Sequence, residues 1–435
     1  FERAETEWET RPTSEWLADY GRQLDNLRAA LDWAFSPDGD ASVGVALTTA
    51  AVPLWMHLSL LEECRSRVEQ ALAALTAGSG RDAGREMKLH AALGESLIHT
   101  RGPAGSETGA AWTKALEIAE SLDDAEYQLR SLWGLWFFHH AVGRHRVALE
   151  LAHKFYILAT NRSDSNHRLV AERLIGVSQH YLGEQPSARR HIERVLANYT
   201  TPDHRPDIIR FQLDQRMAAR VFLARILWLQ GFPEQAMRAA ESSIEDGRTA
   251  NHVTSLCYAL ALAACPTALS VGDLAAAEHY VSMLLDHSTR YGLARWRASG
   301  HCHRGVLVIK RGDVLTGVQL LRAGLDDLGE AGLDTGYIML PGILAEALGR
   351  AGQTGEGLAA TEEGFAWTDR TEERWAIAEL LRVKGELLLL QGAQDAASEA
   401  ETHFRQALDW ARRHGGLASE LRAATSLARF WRDQG

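Results

Sequence analysis

Ala378-Glu379-Leu380-Leu381-Arg382-Val383-Lys384-Gly385-Glu386-Leu387-Leu388-Leu389-Leu390-Gln391-Gly392 is the stretch that decides the fold. Leu380, Leu381, Lys384, Leu387, Leu388 and Gln391 recur at i, i+3, i+4 spacing, which lays a stripe along one face of a helix. Gly385 lies inside that helix. Glycine there costs about 1 kcal/mol against alanine, so the position implies close approach of a neighbouring helix. Gly392 ends the helix. A second amphipathic segment follows, with Ala400, Phe404, Ala407 and Ala411 as its buried row.

The same unit recurs upstream. Turn glycines stand at Gly102, Gly143, Gly183, Gly231, Gly272, Gly312, Gly352 and Gly392, separated by 41, 40, 48, 41, 40, 40 and 40 residues. The long gap contains Tyr199 to Asp207, a polar stretch with two prolines that reads as an insertion. Five residues after the turn glycine a small residue usually follows: Ala148, Ala188, Ala236, Ala277, Gly317, Gly357. Gly176, Gly305 and Gly385 precede their turns by seven. One earlier unit, turning near Leu60 and Leu61, follows from the spacing. A fixed period with two helices per unit means an α-solenoid. Simple tetratricopeptide repeats run about 34 residues and HEAT or armadillo units about 40 to 47. The small-residue offsets favour the tetratricopeptide class with lengthened helices. The expectation is all-α: a right-handed α-solenoid of about nine tetratricopeptide-like hairpins, capped by a helix from Leu417 to Trp431. Residues 1–40 read as an N-terminal linker helix and 41–435 as the repeat array. In the linker, Trp16 to Phe35 reads as one helix with Ser14 as N-cap and Trp16, Tyr20, Leu24, Leu27, Leu31 and Ala34 on one face.

Composition narrows the function. Of 435 residues, 46 are basic and 57 acidic, a formal charge of −11. An acidic chain is a poor general binder of nucleic acid or of anionic membrane. Four cysteines without a CxxC motif suit a reducing cytoplasm and argue against a disulfide framework or a zinc site. Val43 to Leu61 is the stretch we read as nearest to a membrane span, but its glycine, threonines, proline and histidine suit a buried solenoid helix better. The chain begins at Phe1, and we read it as a piece of a longer protein.

Leu24-Asp25-Asn26-Leu27-Arg28-Ala29-Ala30-Leu31-Asp32-Trp33-Ala34 resembles the segment that opens the helical C-terminal region of bacterial STAND-type ATPases. Arg382 to Leu388 and Glu420 to Arg429 resemble the end of that region. The resemblance implies an upstream nucleotide-binding domain, preceded by a winged-helix DNA-binding domain or sometimes an adenylate-cyclase domain. It also implies that the helical array senses an inducer and restrains the ATPase. A phosphate-cradling loop needs G-x-x-x-x-G-K-[ST] after a strand. None of Lys88, Lys114, Lys154, Lys310 and Lys384 follows a glycine, so the ATPase and DNA-binding parts are expected outside this chain. This chain is therefore expected to have no enzymatic activity and to need no cofactor.

Other candidate chemistry is weak. Gly78-Ser79-Gly80-Arg81-Asp82-Ala83-Gly84 has the glycines of a nucleotide loop at the wrong spacing and reads as a flexible connection. His301-Cys302-His303 and His139-His140 place neighbours about 100° or 200° apart on a helix, so neither set can chelate a metal. In tetratricopeptide arrays the first helix of each hairpin lines the concave face, at positions ten, six and three before the turn glycine. That counting gives Trp133, Phe137 and His140; Arg173 and His180; Arg225 and Trp228; Glu346; and Arg382 and Glu386 as groove candidates. Aromatics beside Arg173, Arg225 and two histidines on three successive hairpins suit an anionic or aromatic effector, or a peptide carboxylate. Each of these residues also fits an ordinary inter-helix contact, and Arg382 and Glu386 can simply pair with each other, four apart on one face. The expected function is an effector-sensing module whose partners are a small molecule or peptide and its own upstream domains. The alternatives are a peptide-binding scaffold and a region attached to a cyclase.

The purified chain is expected neither to hydrolyse ATP nor to bind duplex DNA at physiological salt. DNA binding at micromolar concentration that weakens as salt rises, read by fluorescence anisotropy, would contradict this.

Overall fold

All eight turn glycines take the left-handed backbone, with φ from 68° at Gly392 to 103° at Gly312. The residue after the glycine donates its N–H to a carbonyl five residues back: Glu184 to Gln179 at 2.8 Å, Phe232 to Leu227 at 2.9 Å, Asp273 to Ala268 at 3.0 Å and Gln353 to Leu348 at 2.9 Å. That bond satisfies a carbonyl that the end of a helix otherwise leaves open. The repeat of the sequence is thus a repeat of one helix-ending device.

The computed structural model describes residues 1–77, 82–161, 165–200, 210–250, 253–330 and 339–434. Among the described residues the secondary structure is helical, with no strand. The hairpins pair Ala41–His57 with Leu61–Ala77, Ala83–Thr100 with Ser106–Ser121, Ala125–Ala141 with His145–Thr160, and Ser165–Tyr181 with Gln185–Asn198. They continue as Gln215–Leu229 with Pro233–Thr249, Val253–Val271 with Leu274–Arg290, Ala294–Lys310 with Val314–Glu330, Met339–Arg350 with Thr354–Thr371, and Ile377–Gln391 with Ala396–His414. Leu417–Gln434 follows as the last helix. The fold is an all-α solenoid. Most of the 199–207 insertion, and Gly78 to Arg81 of the glycine-bearing connection, lie outside the described residues.

Helical glycines mark close approach. A Cβ at Gly385 would lie 2.6 Å from the Phe404 ring, and one at Gly305 would lie 2.6 Å from the Leu321 backbone nitrogen. In the deciding stretch Leu380, Val383, Leu387 and Leu388 are buried, and so are Ala378, Arg382 and Gly385 on the opposite side of the helix, while Leu381 is half-buried. The helix is covered on two faces, where a single stripe predicts one.

The described chain forms two compact units. The first contains residues 1–139, 150–168 and 200–213. Residues 1–40 pack into its core, where Trp8, Trp16, Leu27 and Leu31 meet Leu54, Trp55 and Val68. The single helix read over Trp16 to Phe35 is corrected here: Thr13–Tyr20 and Leu24–Ala34 are separated by a tighter turn at Gly21–Gln23, and Pro12, not Ser14, precedes the first of them. Gly21 is the poor helix former at which the break falls.

The second unit contains residues 140–149, 169–199 and 214–435. Its early turns contact its late hairpins. The Arg374 N–H donates to the Tyr181 carbonyl at 2.7 Å, and Arg146 Nε donates to Glu372 at 2.9 Å. A Cβ at Gly143 would strike Thr371 at 2.5 Å, and one at Gly231 would lie 3.2 Å from Leu417. Val253–Val271 also belongs to this unit. Among the described residues it is the one helix, 19 residues long, that is long and apolar enough to cross a membrane, and it displaces Val43 to Leu61 as the stretch nearest to a span. Within the unit 67 % of its apolar window is buried, as in the core helix of a water-exposed domain. Its middle, Leu260–Ala264, widens into a π-turn just before Pro266. Proline lacks the N–H for the i−4 carbonyl and its ring collides with that carbonyl, so a wider turn relieves the clash.

Gly305→Ala is expected to destabilise the protein by about 1 to 3 kcal/mol, because the methyl group meets backbone that cannot move aside cheaply. Helix propensity alone predicts a gain of about 1 kcal/mol. The sign of the change in a urea melt decides between them.

Candidate functional site

The first helices of successive hairpins in the second unit converge on one cavity of about 160 Å³. Counting back six residues from Gly231, Gly272, Gly312 and Gly352 gives Arg225, Pro266, Val306 and Glu346, and all four line it. Three residues back, Trp228, Leu269 and Ile309 also line it. Leu262, Leu340 and Ile343 complete an apolar wall, and Met339, Trp375, Glu379 and Arg422 close the rest. The register works because each hairpin ends its first helix in the same way, so equal offsets fall on the same face.

Arg225 is held from several sides. It is 9 % exposed, and its Nε donates to His180 Nε2 at 3.2 Å. His180 must then be neutral with its proton on Nδ1, which faces Gln185 Oε1 at 2.8 Å; Gln185 Nε2 in turn donates to the His180 carbonyl at 3.0 Å. Burial, then the Arg225 charge, holds the His180 imidazole well below its ordinary pKa. The guanidinium carbon lies 4.9 Å from the Trp375 ring centre, 5.5 Å from that of Tyr181 and 5.7 Å from that of Phe222. Ring faces attract the cation but accept no conventional hydrogen bond. Arg225 Nη2 and Trp375 Nε1 are both buried with no acceptor among the described residues.

Carboxylates occupy another part of the wall. Glu379 accepts from Arg382 at 2.7 Å and pairs with Arg422 at 2.8 Å. Glu346 pairs with Arg382 at 2.9 Å and with Arg422 at 3.5 Å. Burial pushes the Glu379 carboxyl up, but Arg382 and Arg422 outweigh it and hold it below the usual carboxylate range. His303, also on the wall, faces the Ala261 carbonyl at 2.8 Å, in the π-turn; burial pulls its pKa down to about 4. Arg225, Lys310, Arg350 and Arg422 against Glu346 and Glu379 leave the lining with an excess of positive charge.

The other groove candidates are placed as follows. Trp133 and Phe137 belong to the first unit, where Trp133 is buried, stacks on Phe137 at 5.5 Å and meets Phe211 at 6.3 Å. His140 packs in the second unit against Tyr181 at 4.5 Å and His145 at 5.0 Å. Arg173 is buried and donates to Gln215 at 2.8 Å. Neither His140 nor Arg173 lines the cavity. Arg382 sits behind Glu346 and Glu379, and Glu386 accepts from Ser426 at 2.6 Å on the last helix. Sequence reasoning missed Trp375, Glu379, Arg422 and the wall given by Val253–Val271. Counting back from Gly272 would have found Leu262, Pro266 and Leu269. Trp375 and Arg422 lie outside the offsets that the register marks. The first unit has a cavity of about 320 Å³, but its charges are already matched, with Lys88 on Glu5, Arg130 on Glu95, and Arg210 on both Glu9 and Glu126. Among the described residues no group of three or more His, Cys, Asp or Glu side chains could hold a metal ion.

No family model matches the sequence, and no curated protein does. Solved structures do resemble the fold. The Rap conjugation gene regulator of plasmid pLS20, in complex with a Phr peptide, is 14 % identical with a TM-score of 0.51, over 67 % of this chain and 75 % of that one. A Rap protein complexed with competence and sporulation factor is 9 % identical with a TM-score of 0.44, over 89 % of this chain and 98 % of that one. A STAND protein with a tetratricopeptide repeat sensor from Pyrococcus horikoshii is 10 % identical with a TM-score of 0.45, over 98 % of this chain and 71 % of that one. The chain is thus similar in fold to tetratricopeptide-like helical repeat proteins.

Burial depresses the pKa values of His140, His145, His180 and His303. In the unfolded chain these groups take up protons near pH 6.5, while in the folded chain they stay neutral to much lower pH. The stability these groups contribute is therefore fully present above their unfolded pKa and falls as pH drops through about 6.5 toward 4. The melting temperature is expected to be several degrees lower at pH 5 than at pH 7, and a flat profile would contradict the assignment.

Proposed function

We propose that this chain is the non-catalytic, effector-sensing part of a signal-transduction regulator of the STAND ATPase type, with the cavity of the second unit as its effector site. The observation that carries the reading is the convergence of first helices from successive hairpins on one apolar cavity with a few polar groups in its wall. Recognition sites have that composition. The resemblance of Leu24–Ala34 and of Glu420–Arg429 to STAND regulators supports the wider setting: an upstream ATPase, joined to a winged-helix domain or a cyclase, in a cytoplasmic protein.

The route to regulation runs through the contacts that close the second unit. Trp375 lies against Arg225 and follows the segment that binds Tyr181 and Arg146. A ligand beside Trp375 stabilises whichever arrangement of that segment it fits better, and it shifts the population only by that difference in affinity. The upstream ATPase would read the shift.

A peptide-binding scaffold is the second reading. Pockets that take drug-sized ligands run about 300 to 1,000 Å³. At about 160 Å³ this cavity admits a compact molecule, or one side chain of a peptide, so we favour the small molecule.

Native mass spectrometry of the chain with a pool of small metabolites and, separately, a pool of short peptides tests the choice. Retention of a small-molecule adduct is expected. Ile343→Trp, which fills the cavity, should remove the adduct and leave the melting temperature within a few degrees of wild type. An adduct that survives this substitution places the site elsewhere, and retention of peptides alone selects the scaffold.

A further inference from the structure

We infer that the cavity of the second unit takes a small amphipathic anion, a carboxylate or phosphate monoester on an apolar body of about six carbons, with its oxygens at Arg225 and Trp375. The inference rests on the cavity being the binding site and adds the chemistry of its ligand.

Three observations point the same way. Arg225 is nine-tenths buried, yet it has no ion pair with a carboxylate among the described residues. Its neutral partner, His180, occupies one N–H, and three aromatic rings surround the rest. A buried guanidinium keeps its charge, and an unpaired buried charge is expensive. Second, the two donors left without an acceptor, Arg225 Nη2 and Trp375 Nε1, belong to cavity-lining residues that touch each other, 4.9 Å from guanidinium carbon to ring centre. A ligand with two or three acceptor oxygens satisfies both, and charge-assisted bonds to a guanidinium are among the strongest available. Third, the carboxylates on the wall do not turn the site against an anion. Glu346 and Glu379 are already engaged by Arg382 and Arg422, so their charge is matched in place.

The body of the ligand follows from the rest of the lining. Leu262, Leu269, Val306, Ile309, Leu340 and Ile343 present aliphatic surface. An apolar cavity of about 150 Å³ holds a molecule the size of benzene. The volume here, about 160 Å³, therefore sets the body at about six carbons.

Calorimetric titration of the intact chain with hexanoate, hexyl phosphate, hexanamide and acetate tests this. Hexanoate or hexyl phosphate should bind, whichever is tighter identifying the head group. Hexanamide, which keeps the body and loses the charge, should bind about tenfold or more weakly, and acetate, which keeps the charge and loses the body, likewise. This comparison needs no variant. Arg225→Gln should then erase the preference for hexanoate over hexanamide, and Arg225→Lys should keep part of it. Equal binding of hexanoate and hexanamide, no binding of either anion at millimolar concentration, or a preference that persists in Arg225→Gln overturns the inference. If hexanamide matches hexanoate and Ile343→Trp abolishes both, the cavity remains the site and only the anion is wrong. If hexanoate binding survives Ile343→Trp, the cavity reading falls as well.

Discussion

The left-handed glycine that ends the first helix of each hairpin is the constraint on which the second unit depends. A residue with a Cβ is strained at φ near 80°, so the turn is written as glycine and returns after one period. Because the helix always ends in the same way, a given offset from the turn always faces the same side. Arg225, Pro266, Val306 and Glu346 come from different hairpins and share one cavity for that reason alone. The close approach inside each hairpin depends on a second set of small residues. Gly305 sits against the backbone at Leu321, and Gly385 against the Phe404 ring. The spacing of the helices, and so the width of the cavity they enclose, is fixed by how near these glycines let them come.

Much of this is legible in sequence because it is local. The hairpin period, the turn positions, the small-residue offsets and the last helix follow from residues within about 40 positions of one another. Arg225, Trp228 and Glu346 come from the same counting. What sequence reasoning could not reach is set by contacts distant along the chain. Trp375 lies between two helices, where no periodic rule applies, and it enters the wall because its segment returns to Tyr181. Arg173 has the chemistry of a ligand clamp but is taken by Gln215. Trp133 has the spacing of a groove aromatic but packs on Phe137 and Phe211. An amphipathic offset says which face a side chain takes and not whether that face meets ligand space or another helix. The break at Gly21 and the π-turn before Pro266 were readable from glycine and proline chemistry, and weighing them would have improved the helix boundaries.

The polar groups of the wall divide into two kinds. Glu346, Glu379, Arg382 and Arg422 form a matched set in which each charge has a partner of opposite sign, and it braces the last hairpin against its neighbours. Arg225 is set among rings, with a single imidazole as hydrogen-bond partner. The first arrangement favours rigidity. The second leaves donor capacity in a buried place, which stabilises a fold poorly and suits recognition.

The hydrogen bond from Arg374 to Tyr181 also bears on how this unit comes apart. An open array of repeats behaves as a one-dimensional chain in which each unit feels only its neighbours, so its ends fray first and its middle melts last. The contact of Arg146 with Glu372 joins residues 226 positions apart, so the second unit has no such free ends. Closing that loop costs chain entropy before any contact repays it, which slows assembly. Once formed, the ring gives hairpins that would otherwise melt one after another a shared fate, and the unit should open in a single cooperative step.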